Sequence, residues 1–327
     1  MSKLGNIWKT LLAGGAGVAA LAAVNASIRR GAQEPDDSAL GGTSRVFPWK
    51  YGQIFYKEAG LTNPGLPIVF VHGIGAGLSS FMWRKNFDVL ADNFRVYALD
   101  LLGFGFSDKP PAAPYSSRLY VELVSDFIRD VVGQPANVVA SSLGAAYAVQ
   151  TAEQHPESVN AMILNAPAGY ATLNTRPGMA GAAFYGLLQS PVLGTSFYNV
   201  MASERSIREY AQRTLFYDHK RVTERLVAHL YATSHQPGAQ HAIAAFLSGY
   251  LNIDMSAPFS RLDQPTVLVW GKQDLNAPIA RAAELLELNP RARLEVFDYC
   301  RMMPEQEHPE KFNALVLESF RARAVGA

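Results

Sequence analysis

Val138-Val139-Ala140-Ser141-Ser142-Leu143-Gly144-Ala145 is the stretch on which the fold turns: an apolar, β-branched run meets a helix-forming run through two serines. A strand that enters a helix through so tight a turn holds the turn residue in a strained backbone conformation. Only small side chains two positions away on either side let strand and helix come that close. Ala140 and Gly144 meet this demand around Ser142, and the register against Gly144 favours Ser142 over Ser141. The stretch therefore reads as a nucleophile elbow with Ser142 at its tip.

Upstream, Val69-Phe70-Val71-His72-Gly73-Ile74-Gly75-Ala76-Gly77 is a strand opening into a glycine-rich loop. Such a loop aims backbone N–H groups at a developing oxyanion, and the N–H groups of Ile74 and Leu143 together would form an oxyanion hole. His72 reads as a residue that holds this loop rather than as a base. Around these motifs, β-branched runs alternate with helix-length amphipathic segments. Strands are expected at 52–59, 67–72, 95–100, 137–141, 161–165, 266–270 and 293–299, and helices near 80–91, 117–132, 143–155, 278–288 and 307–322. This is the pattern of an α/β chain with a mostly parallel central sheet flanked by helices. The alternation breaks between Gly169 and Asp263, where only helical patterns occur, so a helical cap is expected there, over Ser142. Its aromatic residues, such as Phe184, Tyr210 and Phe246, read mostly as the cap's own core.

Two further motifs complete the set: Leu99-Asp100-Leu101-Leu102-Gly103-Phe104-Gly105-Phe106-Ser107-Asp108 after one strand, and Leu268-Val269-Trp270-Gly271-Lys272-Gln273-Asp274 with Pro278 after a later one. Over residues 46–322 the chain resembles the α/β-hydrolase superfamily in its capped branch of esterases, epoxide hydrolases, haloalkane dehalogenases and C–C bond hydrolases. The resemblance implies an α/β-hydrolase fold with an inserted helical cap. It also implies that Asp274 orients a catalytic histidine, and Ser142 points to the serine-using members.

The histidine itself is missing. The family expects Gly-His and then a helix with a pattern like Glu-x-Pro-x-x-Phe-Asn. Glu307-His308-Pro309-Glu310-Lys311-Phe312-Asn313 supplies the helix, and counting back puts Arg301 at the glycine and Met302 at the histidine. A thioether has no proton site, so Ser142 would remain a weak nucleophile. Loss of that histidine costs on the order of 10⁶ in turnover, while an oxyanion hole and binding alone leave about 10³ to 10⁴ over water. His308, six residues further on, is the substitute base by sequence, although the pattern around it turns it outward. His155 looks structural, and His219, His229, His235 and His241 belong to the cap. A buried Asp274 without its imidazole needs another donor, for which Arg301, Lys272 and backbone N–H groups are at hand.

Composition sets the remaining expectations. With 327 residues, 49% hydrophobic and 17% charged, the chain can bury a large sheet, and a net charge of +1 without a basic run gives no footprint for nucleic acid. Cys300, the single cysteine, allows no internal disulfide and no cysteine-based metal site; neither metal nor cofactor is expected. Residues 1–30 carry an apolar run from Leu11 to Val24 between Lys3, Lys9 and Arg29, Arg30. They read as a membrane anchor or, because Val24-Asn25-Ala26 suits a signal peptidase, as a cleaved signal, with a soluble helix as the third reading; basic flanks leave the side of the membrane open. Residues 31–45 read as a flexible tether, 46–168 and 256–327 as the two parts of the core, and 169–255 as the cap. The whole reads as a membrane-associated protein with an incomplete Ser-Asp-His triad, a non-hydrolytic or very weakly hydrolytic binder of a hydrophobic small molecule. The alternative is a serine hydrolase for an ester or similar acyl substrate, with an unconventional base.

Overall fold

The computed structural model describes residues 3–321, with side-chain surroundings from residue 17 onward. Eight strands form one sheet: β1 (Thr43–Trp49), β2 (Gly52–Ala59), β3 (Ile68–Val71), β4 (Val96–Leu99), β5 (Ala136–Ser141), β6 (Val159–Asn165), β7 (Thr266–Gly271) and β8 (Arg293–Phe297). Their order is β1-β2-β4-β3-β5-β6-β7-β8. β1 and β2 are antiparallel to their neighbours, and the rest is parallel. Every residue of β3, β4, β5 and β7 is buried, as expected of parallel strands covered by helices on both faces. One apolar cluster lies on each side, around Val138, Tyr147 and Trp270 on the one and Phe70, Trp83 and Phe312 on the other. This is the mostly parallel, helix-flanked α/β architecture expected from the strand–helix alternation.

The helices are α1 (Lys3–Gly31), α2 (Phe87–Ala91), α3 (Ser117–Phe127), α4 (Leu143–Gln154), α5 (Met179–Leu188), α6 (Leu193–Met201), α7 (Glu204–Tyr210), α8 (Glu224–Ser234), α9 (Ala239–Leu247), α10 (Ser256–Arg261), α11 (Ala280–Leu288), α12 (Pro304–Glu307) and α13 (Pro309–Arg321). α5 to α10 fill the interval between β6 and β7, which holds no strand among the described residues, and α5 to α9 make the cap. Thr223, Ser203 and Ser116 each cap a helix by accepting a backbone N–H.

The N-terminal segment corrects the expectation of a membrane anchor. It is helical, but no helix among the described residues is long and apolar enough to cross a membrane. The apolar run from Leu11 to Val24 falls short of the roughly 20 residues a span needs. The end of α1 lies instead on the cap. Asn25, only 3% exposed, donates to the Val192 carbonyl (3.1 Å) and Ser196 Oγ (3.0 Å) and accepts from Asn199 Nδ2 (3.0 Å). Asn25 is thus a buried amide whose hydrogen-bonding groups are met by the cap. Between α1 and β1, Leu40 is buried and Asp37 faces Lys57 Nζ at 3.6 Å, so this segment is laid along the sheet edge.

Candidate active site

Ser142 sits between β5 and α4 with φ 53° and ψ −125°, a conformation that costs on the order of 1–3 kcal/mol for a residue with a side chain. Its N–H donates to the Asn165 carbonyl (3.0 Å) and its carbonyl accepts from Ala145 and Ala168, which fix the turn. Glycine is required at 144, because a Cβ there would run into the His72 carbonyl oxygen. Leu143, the first residue of α4, carries one of the N–H groups that a helix leaves without an internal partner. His72 is fully buried; its Nδ1–H donates to the Gly73 carbonyl (2.7 Å) and its Nε2 accepts from the Leu101 N–H (3.0 Å). Burial pushes its pKa down, and as a neutral ring it ties the loop after β3 to the loop after β4.

Ser142, Ile74 and Met302 line one cavity of about 660 Å³, closed from above by Met201, Ile207, Ile243 and Phe246 of the cap. No histidine lines it among the described residues. His308 Nε2 faces the Tyr299 carbonyl (3.3 Å), with its ring near Phe297. His229 stacks on Phe81 at 3.7 Å, and burial pushes it down to about 4. His235 bonds the Tyr231 carbonyl (2.9 Å), and His241 faces Gln189 Oε1 (3.0 Å). His155 lies 3.8 Å from Glu157, and His219 belongs to an exposed turn.

Asp274 follows β7 and is 4% exposed. Its Oδ1 accepts from the N–H groups of Asn276 (2.8 Å) and Ala277 (3.0 Å), while Oδ2 is buried without a partner. Burial raises its pKa, against the lowering effect of those two N–H groups. Of the three donors considered from sequence, backbone N–H groups serve. Lys272 instead pairs with Asp298 (3.2 Å), and Arg301 Nη1 donates to the carbonyls of Gln212, Arg213 and Phe216 in the helical turn that follows α7. Met302 Sδ accepts from Asn276 Nδ2 (3.3 Å), which puts the thioether beside the Asp274 loop and at the wall of the cavity.

Sequence reasoning passed over Asn276 and Arg281, both of which line the cavity, and Glu305 on α12. Asp274-Leu275-Asn276-Ala277 at the approach to a helix is a recognisable side-chain turn and would have given the first; nothing in the sequence marks the other two. Glu305 is wholly buried, and its Oε2 accepts from Asn165 Nδ2 (3.0 Å), on the residue whose carbonyl holds the Ser142 N–H. Burial pushes its pKa up to about 8 from 4.5, so the folded chain holds this proton more tightly than the unfolded one. Stability from this group is therefore greatest below the unfolded value and falls as pH rises from about 4.5 to about 8. Glu305→Gln should flatten that decline in urea denaturation at about pH 5 and about pH 9. An equal loss in wild type and variant would disprove it.

The chain belongs to the alpha/beta hydrolase fold family, whose model matches residues 67–308. Among its relatives, the 2-hydroxymuconate semialdehyde hydrolase of Pseudomonas sp. (strain CF600) is 27% identical over 78% of this chain and 87% of its own length. A 2-hydroxy-6-oxo-6-phenylhexa-2,4-dienoate hydrolase of Comamonas testosteroni is 24% identical over 83% of this chain and 92% of its own. A solved meta-cleavage product hydrolase from Pseudomonas fluorescens IP01 superposes with a TM-score of 0.71 and 25% identity over 88% of this chain and 99% of that one. These relatives are hydrolases, and they correct the expectation of a non-hydrolytic binder. Ser142 keeps its strained turn between β5 and α4, and the cavity it lines holds no histidine among the described residues.

Proposed function

We propose that the chain is a serine-dependent hydrolase of carbonyl compounds with an apolar body, in which the substrate takes the proton of Ser142. The observation that carries this reading is the cavity itself: Ser142 and Met302 line one mostly apolar chamber, and no histidine lines it among the described residues. In this reading the N–H groups of Ile74 and Leu143 hold the developing oxyanion, which lowers the barrier without any proton transfer. Asp274 keeps the loop that carries Asn276 and Ala277 in place.

The relatives' names describe substrates that join an enol and a carboxylate through a diene to a carbonyl group, an aldehyde in the one and a ketone in the other. Once ionised, such an enol spreads its charge to the carbon next to the ketone, which is a base within the substrate. That carbon takes the Ser142 proton, and Oγ adds to the ketone carbon as the carbonyl electron pair moves to oxygen. Collapse breaks the bond between the two carbons, the fragment leaves with the bonding pair as a dienolate, and water hydrolyses the acyl-serine as the dienolate takes up its proton. A simple ester brings no such base.

The phenyl dienoate acted on by the Comamonas enzyme and p-nitrophenyl benzoate deliver the same benzoyl group, so they separate the two routes. Purified wild type should turn over the dienoate with kcat/KM at least about 10²-fold above the ester, the contribution of a positioned general base. Equal rates on both would overturn the substrate-supplied base.

A further inference from the structure

Two bonded side chains, Asn165 and Glu305, each leave one buried oxygen without a partner, Oδ1 on the first and Oε1 on the second. Their other polar atoms already meet: Asn165 Nδ2 donates to Glu305 Oε2 at 3.0 Å, and both residues are wholly buried. An ionised carboxylate only accepts, as does the amide oxygen, so a charged Glu305 leaves both oxygens unmet, which is costly in a buried place. One proton on Oε1 satisfies both at once, because a carboxylic acid and a primary amide can close a ring of two hydrogen bonds. Burial favours that proton. It pushes the carboxyl up to about 8, with Glu307 acting in the same direction and Arg84 against it. Cys300 is a thiol that burial keeps protonated, β7 brings no ionisable side chain, and Asn86, which donates to the Glu305 carbonyl and to Asn313, is neutral like its partner.

Asn165 ends β6, and its carbonyl accepts the Ser142 N–H at 3.0 Å. The residues that follow it, Ala166 with φ 38°, Pro167 and Ala168, line the cavity, and the Ala168 N–H donates to the Ser142 carbonyl at 3.2 Å. Ser142 is thus held on both sides by the segment that starts at Asn165. We infer that Glu305 is a positioning residue for Ser142: as a neutral acid it closes a two-bond ring with the Asn165 amide, and that ring fixes the end of β6 on which the elbow hangs. This rests on the reading of Ser142 as the attacking group, and it adds a proton requirement on a residue outside the cavity lining. Ionisation breaks one of the two bonds and leaves a buried charge, so the elbow loosens as pH rises through about 8.

Glu305→Gln separates the ring from the charge, since glutamine can make both bonds and has no proton to lose. In hydrogen exchange read by mass spectrometry, the wild-type Ser142 amide should lose about 5- to 10-fold in protection, corrected for the intrinsic rate, between about pH 7 and about pH 9, the effect of one lost hydrogen bond. Glu305→Gln should keep its protection over that interval. With the phenyl dienoate, wild-type kcat should fall by a similar factor while KM stays within about two-fold, and Glu305→Gln should match wild type at about pH 7 and lack the fall. Wild-type protection that is constant to about pH 9, a loss that persists in Glu305→Gln, or equal kcat profiles in the two proteins overturns the inference. Failure of the wild type to turn over the dienoate, with the exchange pattern as expected, overturns the hydrolytic reading alone.

Discussion

Met302→His is expected to raise hydrolysis of p-nitrophenyl benzoate by about 10²- to 10⁴-fold, the range a positioned general base contributes. The parts an imidazole needs are already in place. Asp274 Oδ2 is buried without a partner, which makes it an acceptor for a ring N–H, and the side chain at 302 lies at the cavity wall that Ser142 shares. The variant's rate should rise with pH through the ordinary imidazole value near 6.5, because only the neutral ring accepts the serine proton. Wild type should lack that limb. Adding Asp274→Asn should remove most of the gain, since the amide cannot hold the imidazolium. Hydrolysis of the phenyl dienoate should change by less than about ten-fold, as its base travels with it. No gain on the ester in Met302→His would mean that Met302 is not the vacated base position. Arg301, where the family resemblance implies glycine, should stay: its guanidinium holds three cap carbonyls, and Arg301→Gly would release the cap from the core.

The second large effect is Ser142→Ala, which should lower turnover of both substrates by at least about 10³-fold. The fold should survive, because alanine accepts the same φ of 53° at the same cost. Ser142→Gly should lose activity equally while gaining stability, on the order of 1 kcal/mol, because glycine relieves the backbone strain. Retained dienoate turnover in Ser142→Ala, with an unchanged melting temperature, would show that water rather than serine attacks.

The strands that carry the elbow were readable because parallel strands covered on both faces appear as unbroken apolar runs. β1 was not. Thr43, Ser44 and Arg45 are exposed on an antiparallel edge, where polar side chains hide the strand in what reads as a tether. The N-terminal helix was misjudged for a related reason: a local hydropathy window sees Leu11 to Val24, while the partners of Asn25 lie 167 to 174 residues away on the cap. Ser142 and Met302 could be placed by counting, since each belongs to a short motif with fixed spacing. Arg281 and Tyr170, which line the same cavity, could not, because no local pattern links residue 170 to residue 281. Glu305 follows a proline at a helix start, where a carboxylate ordinarily faces water and complements the helix dipole; its burial depends on Asn165 and the packing of α12.

Covalent attack by Ser142 without an imidazole is tested most directly by trapping the acyl-enzyme. Wild-type protein mixed with the phenyl dienoate, quenched within the first turnover and digested, should yield a benzoyl adduct on the peptide carrying Ser142. Release of benzoate at the full single-turnover rate, with no adduct on that peptide at any quench time and none when breakdown is slowed at low pH, would contradict it.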